Sequence, residues 1–218
     1  MQNRSRRSNQ ERTATTCALL LAAARRLFVE KGYAGTATPD IAATAGLTRG
    51  ALYHHYADKQ ALFHAVVEQE AAAAAAEIER AAPKGGTAFA SLLAGGEAYL
   101  EAMREPGRTR LLLLDAPAIL GWEAMDLIDD RHGNRTLREG LIAAMKSGEI
   151  PPMPIDPLTA LIAAAFDRAA LAVEHGGDRN AYRLAMNALV SGLLDGRRTG
   201  SHDERREKRA RREPGSSR

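Results

Sequence analysis

An all-α fold is what this sequence predicts, on three observations. Ala and Leu dominate a chain whose aromatic content is only 5%, and both residues lose little conformational entropy on entering a helix. Apolar residues recur three and four apart over most of the length, the spacing of one helical face. Gly and Pro fall between those stretches, where they punctuate helices. About nine helices are expected. A chain of 218 residues that is 45% hydrophobic can bury one sizeable core or two small ones, which excludes collagen-like, mucin-like and wholly disordered classes.

Taken in order, the first helix is expected over Thr13–Lys31, where Leu20, Ala24, Leu27 and Phe28 share a face and Gly32 closes the element. Thr38 followed by Pro39 opens a short second helix, Pro39–Ala45, because Thr can cap free amides and Pro is preset for the first helical position. Gly46 stops it. Thr48 then caps a third helix, Arg49–Tyr56, with Leu52 and Tyr56 four apart on one face and Arg49, Tyr53 and His54 facing elsewhere. Asp58 caps a long fourth helix, Lys59–Ala81, in which Leu62, Phe63, Val66, Val67 and Glu70 give a buried and a wet side. Beyond the break at Pro83-Lys84-Gly85-Gly86 come helices over Thr87–Glu105, Arg108–Gly121 with an interruption at Pro117, and Trp122–Ser147. The segment Pro151-Pro152-Met153-Pro154 cannot be helical, and two last helices follow it, Asp156–Glu174 and Arg179–Asp195.

Charge is unevenly spread. The formal net charge is +3, yet residues 1–12 carry +3 and residues 197–218 carry +5, which leaves the middle at −5. The basic character therefore belongs to two tails, 1–12 and 197–218, which are expected to be disordered for want of apolar residues. Cys17 is the one cysteine, so no internal disulfide or thiolate metal cage can form, and no apolar h-region follows Met1. The cytoplasm is the expected compartment, and no apolar run reaches the roughly 20 residues of a membrane span.

The helices at 39–45 and 49–56, joined at Gly46-Leu47, have the outline of a helix-turn-helix, with Ile41, Ala42, Ala45, Leu52 and Tyr56 as its small core. Its outer face has the chemistry of a duplex reader. Thr38 and Thr48 offer hydroxyls and helix-start amides to phosphates, Gly50 lets the backbone come close, and Tyr53, His54 and Lys59 can reach phosphate oxygens. Arg49 can present its fork to the O6 and N7 of a guanine, a contact worth about 1–3 kcal/mol of discrimination. No cofactor, metal site or enzyme is expected. Neighbouring His54 and His55 diverge on a helix, the acidic face of Asp126, Asp129 and Asp130 with His132 reads as solvated, and there is no phosphate loop, G-x-S-x-G elbow or H-E-x-x-H.

Gly32-Tyr33, Thr36, Thr38 to Gly46 and the run TRGALYHHYADKQALF from Thr48 to Phe63 resemble the DNA-binding domain of the tetracycline-repressor (TetR) family of bacterial transcriptional regulators. The segment Arg108–Gly133 resembles a C-terminal domain of the same family. The resemblance implies a three-helix reader over 13–58, a helical effector-binding and dimerisation domain over 59–196, and DNA contacts at Thr38, Thr48, Arg49, Gly50, Tyr53, His54 and Lys59. One departure is Tyr56, where the family usually has Phe, so its hydroxyl needs a partner or a wetter surround. The implied function is a homodimeric, ligand-responsive repressor on a palindromic double-stranded operator, released by a small molecule.

An effector site is expected between Phe89 and Phe166, with Phe89, Tyr99, Arg110, Asp115, Trp122, Met125 and Phe166 as candidate lining. The last two helices supply the candidate dimer face through Leu158, Leu161, Ile162, Ala165 and Ala169 on one, and Tyr182, Met186, Leu189, Val190 and Leu193 on the other. From a different class, a helical protein-interaction scaffold without sequence-specific DNA binding would use the same apolar stripes. Salt-dependent, sequence-specific duplex binding separates the two.

Overall fold

The computed structural model describes the backbone of residues 2–81 and 85–210 and the side chains of residues 10–81 and 85–194. Among them the elements are α1 (Gln2–Lys31), α2 (Thr38–Thr44), α3 (Arg49–His55), α4 (Lys59–Ala81), α5 (Ala88–Ala102), α6 (Arg108–Arg110), a π-helical turn (Leu111–Asp115), α7 (Ala116–Leu120), α8 (Trp122–Arg131), α9 (Gly133–Lys146), α10 (Ile155–Glu174) and α11 (Arg179–Ala210). None of the described helices is long and apolar enough to cross a membrane.

Three features differ from the sequence reading. Helical backbone begins at Gln2 and continues to Ala210, where residues 1–12 and 197–218 were expected to be disordered. Arg, Gln, Glu and Lys, frequent in both segments, are good helix formers and extend an existing helix at little cost. Residues 211–218 of the expected tail lie outside the described residues. Pro117 does not interrupt its helix. The backbone widens just before it, with Ala116 N–H donating to the Leu111 carbonyl five residues back, and the proline, which has no N–H, sits where the α register resumes. The expected helix over Trp122–Ser147 is two helices, broken at His132 with φ −123° and ψ −96°. Its imidazole Nε2 lies 2.7 Å from Glu68 Oε1 beside the Arg131–Glu68 pair at 2.6 Å.

The chain packs as two compact units, one of residues 1–76 with 103–133 and one of residues 77–102 with 134–218. In the first, Leu20, Ala24, Leu27 and Phe28 of α1, Ile41 and Ala42 of α2, Leu52 of α3, and Leu62, Phe63, Val66 and Val67 of α4 are buried. Phe63 packs edge-on against Phe28 and Tyr33, with ring centroids 5.0 Å apart in each pair. In the second, α5 packs on α10 and α11, and Phe166 comes so close to Gly96 that a Cβ there would lie 2.4 Å from its ring.

An ionic knot ties the first unit together. Glu70, 6% exposed on α4, accepts from Arg25 Nε of α1 at 2.8 Å and from Arg108 Nε of α6 at 3.2 Å. Arg25 also donates to the Pro106 carbonyl, and Gly107, at φ +78°, lies where a Cβ would collide with Val29 of α1. Burial pushes the Glu70 carboxyl up, but the hydrogen bond and charge of Arg25, then those of Arg108, outweigh it and hold the group below its ordinary value.

Glu70→Ala is expected to lower the unfolding free energy by about 3 kcal/mol, since it removes the carboxylate from two guanidinium groups at once. Urea denaturation at neutral pH measures this. A carboxyl whose folded pKa is depressed contributes its stability above the unfolded value and loses it as pH falls through the folded value. The difference between wild type and variant therefore narrows in acid.

Candidate nucleic-acid interface

The helix-turn-helix is built by small residues inside and polar ones outside. Ala45 N–H donates to the Ile41 carbonyl at 2.9 Å to end α2, Gly46 takes φ +68°, and Leu47 N–H returns to the Ala42 carbonyl at 2.9 Å. This closes the turn with a left-handed residue that Gly adopts without cost. Thr48 then caps α3, its hydroxyl accepting from Ala51 N–H at 3.1 Å. The inner face of α3 is fixed by Leu52, fully buried. Its outer face carries Thr48, Arg49, Gly50, Tyr53 and His54, all exposed. A side chain at Gly50 would meet only the Thr48 hydroxyl at 3.8 Å, so packing within the protein does not demand glycine there.

Thr38 has a different place from the one expected. Ala37 stands at the N-cap of α2 and makes no side-chain cap, while Thr38 is the first helical residue. Its hydroxyl is 2.9 Å from that of Tyr53. The hydrogen bond with Thr38, and next that with Arg49, hold the Tyr53 phenol below its ordinary pKa. Thr38 and Tyr53 are thus linked across α2 and α3, which limits the rotamers each must give up on meeting a ligand.

Lys59 is engaged as well. Its ammonium donates to the carbonyls of Tyr33 at 2.9 Å and Thr36 at 3.0 Å and lies 4.1 Å from the Tyr33 ring centroid. It therefore fastens the start of α4 to the α1–α2 connection. With Thr38, Pro39, Tyr53 and Asp58 it also lines a shallow open depression. Tyr56 is half-buried at the C-terminal end of α3, and burial, followed by the Cys17 thiol of α1, pushes the phenol up to about 12.

The other candidates are more scattered. Phe89 and Phe166 are buried in the second unit, and Tyr99 packs edge-on against Phe166 while its hydroxyl donates to Asp167 at 2.5 Å. Burial raises the Asp167 carboxyl and the Tyr99 hydrogen bond opposes it. In the first unit Arg110 pairs with Asp115 at 3.4 Å, Met125 is buried and Trp122 is 76% exposed. Of the candidate dimer face, Ile162, Ala169, Met186 and Val190 are buried within the second unit, Leu158, Ala165, Tyr182 and Leu193 are half-buried, and Leu161 and Leu189 are exposed. Among the described residues no group of three or more His, Cys, Asp or Glu could hold a metal ion. Sequence reasoning missed Arg25, Gln60 and Arg108 altogether. It placed Glu70 on α4 without its partners, although that residue falls in helical step with buried Phe63, Val66 and Val67.

A helix-turn-helix with its apolar face buried and its hydroxyl, amide and guanidinium face outward belongs to the class of duplex-reading proteins. Residues 20–66 match the family described as bacterial regulatory proteins, tetR family, and residues 89–197 match the tetracyclin repressor-like C-terminal domain. The transcriptional repressor AcnR of Corynebacterium diphtheriae is 30% identical over 161 residues, 73% of this chain and 81% of that protein. The transposon Tn10 TetC protein of Escherichia coli is 31% identical over 121 residues, 55% of this chain and 60% of its own length. A crystal structure of a TetR-family transcriptional regulator from Pectobacterium atrosepticum superposes with a TM-score of 0.66 at 33% identity, covering 85% of this chain and 95% of that one. This chain belongs to the TetR family and is a DNA-binding transcriptional regulator.

Lys59→Met is expected to destabilise the protein by about 1–3 kcal/mol, because the Tyr33 and Thr36 carbonyls lose a charged donor. Urea midpoints of the purified variant measure it without any nucleic acid present.

Proposed function

We propose that this chain is a cytoplasmic, homodimeric, ligand-responsive repressor that reads a palindromic operator through the major groove and leaves it when a small molecule binds. The observation that carries the reading is the outward face of α3, from Thr48 to His54, on a helix whose opposite face is locked by Leu52. In this reading Arg49 reads base edges, Thr38, Thr48, Tyr53 and His54 meet phosphates, Gly50 admits the backbone, and the remaining donor capacity of Lys59 reaches a phosphate at the rim. Two readers on a two-fold axis require half-sites about 34–36 Å apart along the duplex.

The dimer uses the outer strip of α10 and α11, where Leu161 is 71% and Leu189 52% exposed. The effector is taken by the helical domain, with Phe89, Tyr99 and Phe166 as its nearest apolar candidates. Neither a cofactor nor catalysis is part of this function, and no membrane partner is.

Pooled-oligonucleotide selection with the purified protein tests the reading. Enrichment of a palindrome, with affinity falling steeply as salt rises, supports it, whereas a library left unenriched at low salt overturns it in favour of an interaction scaffold. Arg49→Ala is expected to relax preference at one position in each half-site, by about 1–3 kcal/mol, in the same selection. Leu189→Glu is expected to convert the dimer to monomer by placing an unpaired charge in the interface. Sedimentation velocity checks this, and a monomer that keeps its thermal transition shows that α11 itself is intact.

A further inference from the structure

The segment Arg108–Leu120 contains a wide turn that its sequence does not advertise, and that turn is held from both sides. Inside it, Arg110 and Asp115 pair at 3.4 Å although they are five residues apart. On an α-helix residues five apart point about 140° away from each other, whereas a turn with i→i+5 bonding brings them to the same side. The ion pair is therefore available to the π form and denied to the α form. Arg110 also reaches the end of α1, with a guanidinium nitrogen 3.2 Å from where a Cβ of Gly32 would lie. Past the turn, the Ile119 carbonyl of α7 accepts from Gln60 Nε2 at 3.1 Å. Gln60 lies in the first turn of α4, next to Lys59, whose ammonium holds the Tyr33 and Thr36 carbonyls of the reader. If the turn rewound to α without losing a residue, everything after it would rotate by about 100°, and the Ile119 carbonyl would leave Gln60.

We propose that the π turn at Leu111–Asp115, clipped by Arg110 and Asp115, is a positioning element for the DNA reader, with Asp115 acting through the turn and Gln60 receiving its register at the start of α4. This rests on the reading of the chain as an operator-binding regulator and deepens it by naming a conformational step on which operator affinity depends. The clip is half-exposed, with Arg110 at 52% and Asp115 at 23% side-chain exposure, so it can be opened at modest cost, as a two-state element requires.

The test uses full-length protein and the operator that selection with the wild type returns. Asp115→Asn is expected to bind that operator about two- to fivefold more weakly at low salt, the range of a partly exposed ion pair, and Asp115→Glu to bind as the wild type does. A chain lacking Leu114 has no residue to spare for the wide turn. It restores continuous α-helix with both flanks in their original register, keeps operator binding, and makes Asp115→Asn silent. Wild-type affinity in a folded Asp115→Asn variant overturns the proposal. So does an equal loss in the presence and absence of Leu114, since the pair would then act locally. Should the shortened chain fail to fold, the contrast between Asn and Glu at 115 decides alone. A library that the wild type leaves unenriched defeats the operator reading itself, an outcome distinct from either failure.

Discussion

The arrangement of the first unit depends on one carboxylate. Glu70 is the buried meeting point of guanidinium groups from α1 and α6. A buried ion pair contributes little net stability against an apolar replacement, because desolvation offsets most of the attraction. What it contributes is direction. Leu and Val contacts tolerate sliding by fractions of an ångström, whereas a carboxylate with two donors about 3 Å away is satisfied in a narrow range of geometries. Since α1 carries Phe28 and ends at Gly32 against the reader, fixing α1 against α4 and Gly107 fixes the platform from which α3 projects.

On that platform the reader is organised before any nucleic acid arrives. Thr48 spends its hydroxyl on the α3 cap, and the Thr38 and Tyr53 hydroxyls are already joined. Lys59 spends two of its three protons on the carbonyls that end the α1–α2 connection. These contacts have a double consequence. They lower the entropy cost of presenting the polar face, and under the proposed operator reading they give each of those side chains a structural role beside its recognition role, so substitution affects stability and affinity together. Stability measured without DNA and affinity measured with it are needed to divide the two.

The sequence was most legible where the information is local. The ends of α2, α3 and α4, the Thr48 cap and the outward set on α3 all follow from spacing, Gly and capping chemistry within a few residues. What stayed hidden is long-range. Glu70 finds its partners 45 and 38 residues away, and Gln60 meets Ile119 59 residues away. No periodicity encodes such pairs. Two local errors have physical reasons of their own. Thr38 was read as a cap because Thr-Pro is the usual opening, but the helix starts one residue earlier and the hydroxyl takes Tyr53 instead. His132 looked like one more helical residue because a single Gly, here Gly133, is tolerated inside a helical pattern, and the pairing of Glu68 with Arg131 and His132 beside the break is long-range.

The apolar stripes of α10 and α11 show why a pattern cannot assign an interface. Read along the chain they are one wide band, yet burial divides them, with Ile162, Ala169, Met186 and Val190 turned into the second unit and Leu161, Leu184 and Leu189 turned out. A helix that only closes its own core needs a stripe about 100° wide and places polar residues beyond it. Here the band continues past that limit onto the outer surface, with Ala160, Ala164, Ala185 and Ala188 exposed between the leucines. Small residues at such positions let a second backbone approach closely, and large exposed apolar side chains are costly unless something covers them. Hydrophobicity marks both faces alike because water expels both alike. Which face meets the chain's own helices is decided by the packing of α5 against α10 and α11, with Phe166 seated on Gly96, and in the proposed dimer the remaining face meets the partner.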